Sequence, residues 1–203
     1  MIGLMYLLFF IVYGWISWRV VKAVARRARE GGRSPKLWGG VAGLAMASLV
    51  FWDWLPMEVL YRYDCARYAG FTQYQSLEQW KAENPGVAQT LHPPERVESR
   101  QEGGRQRYVL NQRFAWDIRY TRHPLHIRER EERIVDTRTG KVLARYVDFD
   151  TDIGGVSVGS SARGLSDYKI WLMRRSCEAD SGRPLERAFY NFKYLVKHQM
   201  ERK

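Results

Sequence analysis

The chain has 203 residues, with 33 Lys or Arg against 22 Asp or Glu and a net charge of +11. That length allows one domain with a real core beside any membrane segment. It has 2 cysteines, neither with a Cys or His at ligand spacing, which excludes a cysteine-built metal centre.

The first 60 residues carry the strongest pattern. Stretches 1–18 and 37–52 contain no charged side chain. Between them lie Arg19, Lys22, Arg26, Arg27, Arg29, Arg33 and Lys36 against the single acid Glu30. A bilayer core about 30 Å thick needs roughly 20 helical residues. The first stretch reaches that length by borrowing Val20 and Val21 past Arg19, whose long stem can snorkel to the interface. Trp15, Trp18 and Trp38 flank the basic segment, while Trp52 and Trp54 mark the opposite face, at the depth indole rings prefer. The pattern predicts two transmembrane helices forming a hairpin over residues 1–60, with a basic cytoplasmic loop at about 19–36. The N-terminus and residues 61–203 then lie on the periplasmic side of a bacterial inner membrane. A cleaved signal peptide would carry its positive charges before the apolar run, and here they follow it. Gly39, Gly43 and Ala47 give the second span a face of small residues on which the first can pack. Asp53 and Glu58 read as water-exposed markers of the exit from the bilayer.

Residues 61–203 read as one extracytoplasmic α+β domain with a net charge of about +7. Such a domain can lie against anionic headgroups or meet a protein partner, and nucleic acid is not expected on that side of the membrane. The compartment favours a disulfide between Cys65 and Cys177. A loop so long is credited with about 4 to 5 kcal/mol in the chain-entropy account.

Along the domain, the aromatic-rich residues 61–74 are expected to dock it onto its stem. Ser76 with Gln79 has the capping-box spacing of a short helix, which Asn84, Pro85 and Gly86 end. Residues 92–104 look like an exposed connection. Phe114, Trp116, Ile118 and Tyr120 alternate with smaller or polar residues, as a half-buried strand requires. The mixed-charge run 128–133 reads as a solvated face or exposed strand. Asp136 and Gly140 bracket a turn between Ile134-Val135 and Leu143, the pattern of a hairpin with a glycine bulge. A loop rich in glycine and serine is expected at 151–167, a strand at 168–174, and a helix from about Pro184. Leu185, Ala188, Phe189, Phe192, Leu195 and Val196 share one face of that helix. The predicted core is therefore an antiparallel sheet covered by the C-terminal helix.

Candidate chemistry is sparse. Residues 155–159 match G-x-S-x-G, which would make Ser157 a nucleophile, with Asp167, Glu178 or Asp180 as the acid and His198 as the base. No helix pattern follows Ser157, and the strand–helix alternation of that fold is missing. The same loop lacks the lysine-hydroxyl ending of a phosphate-binding loop. His123 and His126 flank a proline, which cannot set them on one helix face as a metal pair. No cofactor is implied. The expected function is a membrane-anchored, non-enzymatic interaction module, such as an immunity or exclusion protein or an accessory subunit of an envelope machine. An envelope serine hydrolase using Ser157 and a small oligomeric transport component are the alternatives.

Overall fold

A computed structural model describes residues 2–96, 98–153 and 169–198. The first helix, α1 (Ile2–Glu30), runs straight through the basic segment, so the expected loop at 19–36 shrinks to residues 31–34. Arg19, Lys22, Arg26, Arg27 and Arg29 ride on its last turns, and only Arg33 and Lys36 lie beyond it. The physical reason is that Arg, Lys and Ala are strong helix formers, and no breaker appears before Gly31. There the helix closes as a Schellman motif: the Gly32 N–H donates to the Arg29 carbonyl (3.2 Å) and that of Arg33 to Ala28 (2.8 Å). Gly32 takes the left-handed φ of +65° that this ending requires.

Helix α2 (Pro35–Phe51) returns antiparallel to α1, with Gly39 and Gly43 facing Val21 and Ala25. The Tyr13 hydroxyl donates to the Met46 carbonyl between the two helices. At residues 52 and 53 the chain bends by 57° into α3 (Trp54–Tyr68). The expectation of two transmembrane helices is met clearly by one. Within α1, Leu7–Glu30 is long and apolar enough to cross a membrane, with a mean hydropathy of 1.6 and none of its window buried. At ~1.5 Å per residue, the 17 residues of α2 reach about 26 Å and make a second span only in company with the bent α3.

Six strands follow: β1 (Gly70–Gln73), β2 (Ser99–Glu102), β3 (Arg105–Val109), β4 (Phe114–Arg122), β5 (Ile127–Asp136) and β6 (Val142–Thr151). They form one antiparallel sheet in the order β1-β6-β5-β4-β3-β2. Helix α4 (Leu77–Glu83) carries the expected capping box, and α5 (Pro184–His198) is the expected C-terminal helix. Three expectations fail. Part of the 92–104 connection is β2, joined to β3 through Gly103 and Gly104, both at positive φ as a two-residue hairpin turn demands. The charged run 128–133 lies in the central strand β5, where partners from distant elements neutralise it. The strand expected at 168–174 is instead a 3₁₀ turn at Ile170–Leu172, and Tyr168 falls outside the described residues.

Alternation along the strands divides the core into two layers. On one face Phe114, Ile134, Ala144 and Tyr146 pack with Trp80 of α4 and with Phe189, Phe192 and Val196 of α5. On the other, Ile127, Val147 and Phe149 meet Met57 and Tyr61 of α3 and Leu172. The sheet is thus sandwiched between helices, and the sequence reading missed the α3 layer. Leu185, expected on the inner face of α5, is exposed.

The distal end of the sheet is fastened by Asp136, which is 1% exposed. It accepts from Arg113 Nε (2.6 Å), Trp80 Nε1 (3.1 Å) and the N–H groups of Arg138 (3.0 Å) and Thr139 (3.3 Å). Burial works against the charge, but these donors outweigh it and hold the pKa at about 2. Since this group titrates lower folded than unfolded, its stabilisation of about 2 kcal/mol is present above about pH 4. It is lost as the pH falls towards 2. In thermal unfolding, Asp136→Asn is expected to lower the midpoint at pH 7 and to narrow its gap from wild type as the pH drops to 2. A gap unchanged over that range would contradict the assignment.

Candidate functional site

The residues expected at the membrane interface group by charge and ring. Arg19 lies 5.3 Å from the Trp15 ring, Lys22 Nζ 3.8 Å from Trp18, and Arg33 5.3 Å from Trp38. At the opposite end Lys169 Nζ is 5.8 Å from Trp52, and Trp54 opens α3. All seven basic residues, Arg19, Lys22, Arg26, Arg27, Arg29, Arg33 and Lys36, are exposed. Ser157 lies outside the described residues. His198 ends α5 with its ring 4.5 Å from that of Tyr194. His123 Nε2 pairs with Glu129 Oε2 at 3.0 Å, while the His126 carbonyl accepts from the Asp152 N–H. Cys65 and Cys177 are joined in a disulfide.

Of the acids expected at the bilayer exit, Asp53 is buried and Glu58 partly so. Asp53 is 2% exposed at the α2–α3 bend, where the Lys169 ammonium and Trp171 Nε1 (3.5 Å) donate to it. Glu58, one turn on, accepts Arg174 through Nη2 (2.6 Å) and Nε (3.0 Å) and Arg62 through Nε (2.7 Å). The Trp171 ring lies against Phe51 (5.2 Å) and Phe10 (6.4 Å), so the returning segment rests on the ends of both N-terminal helices. With the disulfide, three ties join α3 to residues 169–177 in parallel order: 53 to 169, 58 to 174, and 65 to 177. The sequence held no local sign of these pairs, whose partners stand 116 residues apart.

A second charged cluster is sealed beneath α5. Arg130 pairs with Glu186 (2.8 Å), Glu132 (3.4 Å) and Asp148 (3.5 Å). Glu132 also accepts from Trp116 Nε1 (2.8 Å) and the Tyr190 hydroxyl (3.4 Å). Burial pushes Glu132 above the usual carboxylate range, with Arg130 opposing. Burial also lowers Lys193 to about 8, where it lies between the Trp116 (3.5 Å) and Tyr190 (4.0 Å) rings. Packed between sheet and helix, this network fixes α5 and offers little access to a ligand.

Accessible polar groups gather on the other face, where α3 leaves part of the sheet uncovered. One cleft of ≈ 660 Å³ is lined by Asp64, Arg67, His123, Glu129 and Arg145. Burial raises the pKa of Asp64, and His123 opposes the shift. Arg145 also lines a second cleft of ≈ 790 Å³, with Arg133, Lys141, Tyr74, Gln75 and Gln79. Paired ions and open walls suit the surface to holding a charged partner. The chain matches no protein-family model, and no curated protein or solved structure is similar to it.

The Asp53–Lys169 pair is directly testable. Lys169→Met leaves a buried carboxylate without its cation and is expected to cost about 3 to 5 kcal/mol. Adding Asp53→Asn should restore most of that stability, read from thermal unfolding in detergent. A loss below about 1 kcal/mol in the single variant would show that water already solvates Asp53.

Proposed function

We propose that the chain is a membrane-anchored, non-enzymatic interaction module. In this reading α1 and the bent α2–α3 pair form a two-span hairpin, with residues 31–34 and the basic helix end in the cytoplasm. The N-terminus and the sheet domain stand on the extracytoplasmic side, where a protein partner binds the domain. The observation that carries the reading is the junction itself. Two ion pairs and a disulfide tie the returning chain to the helix that leaves the hairpin, so the domain has one fixed posture over its anchor. The exposed apolar side chains of Trp52, Leu55, Val59 and Ile170 around that junction support its lying at lipid depth. The open clefts of the opposite region suit recognition of a charged partner.

A photo-crosslinking residue at Gln75, on the cleft wall, is expected to trap one discrete extracytoplasmic protein in living cells. The same residue at Tyr194, on the exposed side of α5, should not trap it. Ser157→Ala and His198→Ala should leave the adduct and the biological activity unchanged. Adducts of the chain with itself alone would favour an oligomeric transport component. Loss of activity in folded Ser157→Ala protein would favour a hydrolase.

A further inference from the structure

We infer that the Arg133–Arg145 cleft binds a carboxylate-rich peptide segment. This rests on the interaction-module reading and names the chemistry of its partner. Arg133 of β5 and Arg145 of β6 are directly opposed in the strand register and point to the same face. Like charges so placed repel, and a sheet keeps them only when something negative sits between. Glu131 supplies that charge, but through one oxygen: Oε1 accepts both Arg133 Nη2 (2.6 Å) and Arg145 Nε (2.5 Å). Two guanidiniums thus share one carboxylate. Arg133 Nε is buried and has no hydrogen-bond partner among the described residues. That atom is sealed from solvent, so an incoming anion meets the exposed parts of the two side chains, 28% of Arg133 and 38% of Arg145.

The surroundings add donors. Lys141 stands on the rim, 65% exposed and only loosely paired with Glu83 at 3.7 Å. The Gln79 side-chain oxygen accepts from the Ser76 N–H, which leaves its amide nitrogen as a donor, and Tyr74, Gln75, Val142 and the acid Glu83 complete the wall. The cleft is open-mouthed at ≈ 790 Å³, a shape for a chain segment rather than an enclosed metabolite. Planar guanidiniums that already hold one carboxylate of their own are matched to further carboxylates.

The cleft also lies well along the sheet from the hairpin exit. Ile127, at the start of β5, packs with Met57 beside the hairpin exit, and Arg133 lies six positions further along, about 20 Å away at ~3.3 Å per residue. The screening length at physiological salt is about 8 Å. That separation suits a segment of another protein better than a headgroup held at the hairpin exit.

The test is fluorescence anisotropy of a labelled hexaglutamate peptide with the purified full chain in mild detergent. Saturable binding is expected. Arg133→Gln/Arg145→Gln should weaken it about tenfold or more, the loss of charge-assisted contacts. Gln75→Glu keeps the Glu131 pairs intact and should also weaken binding by about tenfold, so misfolding of the double variant cannot hide the answer. Arg26→Gln/Arg27→Gln/Arg29→Gln should bind within about twofold of wild type, separating the cleft from the basic helix end. Absence of saturable binding overturns the inference, as does equal binding by the Gln75→Glu protein. Displacement of the peptide by inorganic phosphate at matched ionic strength would reassign the cleft to a small oxyanion. These outcomes are independent of the cell-based crosslink, which fails or succeeds with the anchored-module reading itself.

Discussion

Asp53 stands where the apolar second helix turns, and a carboxylate buried there needs a counter-charge, because leaving it bare costs several kcal/mol. Lys169 provides it from the far end of the chain, after the whole sheet has been laid down. The sheet must therefore return its C-terminal segment to the base of the hairpin. Arg174 on Glu58 and Cys177 on Cys65 repeat the tie one and three turns along α3. Thr151 then exchanges hydrogen bonds with Arg174 at the end of β6, which joins the same segment to the sheet. Helix α3 thus acts as a splint between the helical hairpin and the sheet.

That splint accounts for much of the layout. Covering one end of the sheet, α3 buries Val147 and Phe149 and leaves the Arg133–Arg145 end open. On the reverse face α5 packs over β1, β6 and β4, and Arg130 is there surrounded by Glu132, Asp148 and Glu186. Interior ions in such numbers add little net stability, because desolvation offsets most of their attraction. Their effect is selective: a shifted β4–β5 or β5–β6 register would strand several charges at once. Acids thus outnumber bases under α5, whereas in the open cleft bases outnumber acids.

Local signals in the sequence were legible and distant ones were not. The capping box at Ser76, the glycine-bulge turn at Gly140, the alternation from Phe114 and the apolar face of α5 each depend on residues a few positions apart. The run 128–133 looked solvated because its neutralising partners, Asp150, Asp148 and Glu186, lie up to 56 residues away. Asp53 looked solvated for the same reason. Charges at the end of α1 looked like a loop, although nothing there breaks a helix. The Arg133–Arg145 juxtaposition was nearly within reach, since the turn at Gly140 fixes which residues of β5 and β6 meet. The irregularity at Ile134 and Val135 shifts the count by one and hides it.

In the proposed topology the sheet domain is held outside the cytoplasm. Labelling of Thr139→Cys, at the exposed tip of the β5–β6 hairpin, by a membrane-impermeant maleimide in intact spheroplasts tests this most directly. Full labelling before lysis is expected, with the native disulfide pair unreactive. Labelling only after the membrane is broken would put the domain in the cytoplasm and overturn the anchor's direction together with the reason for its disulfide.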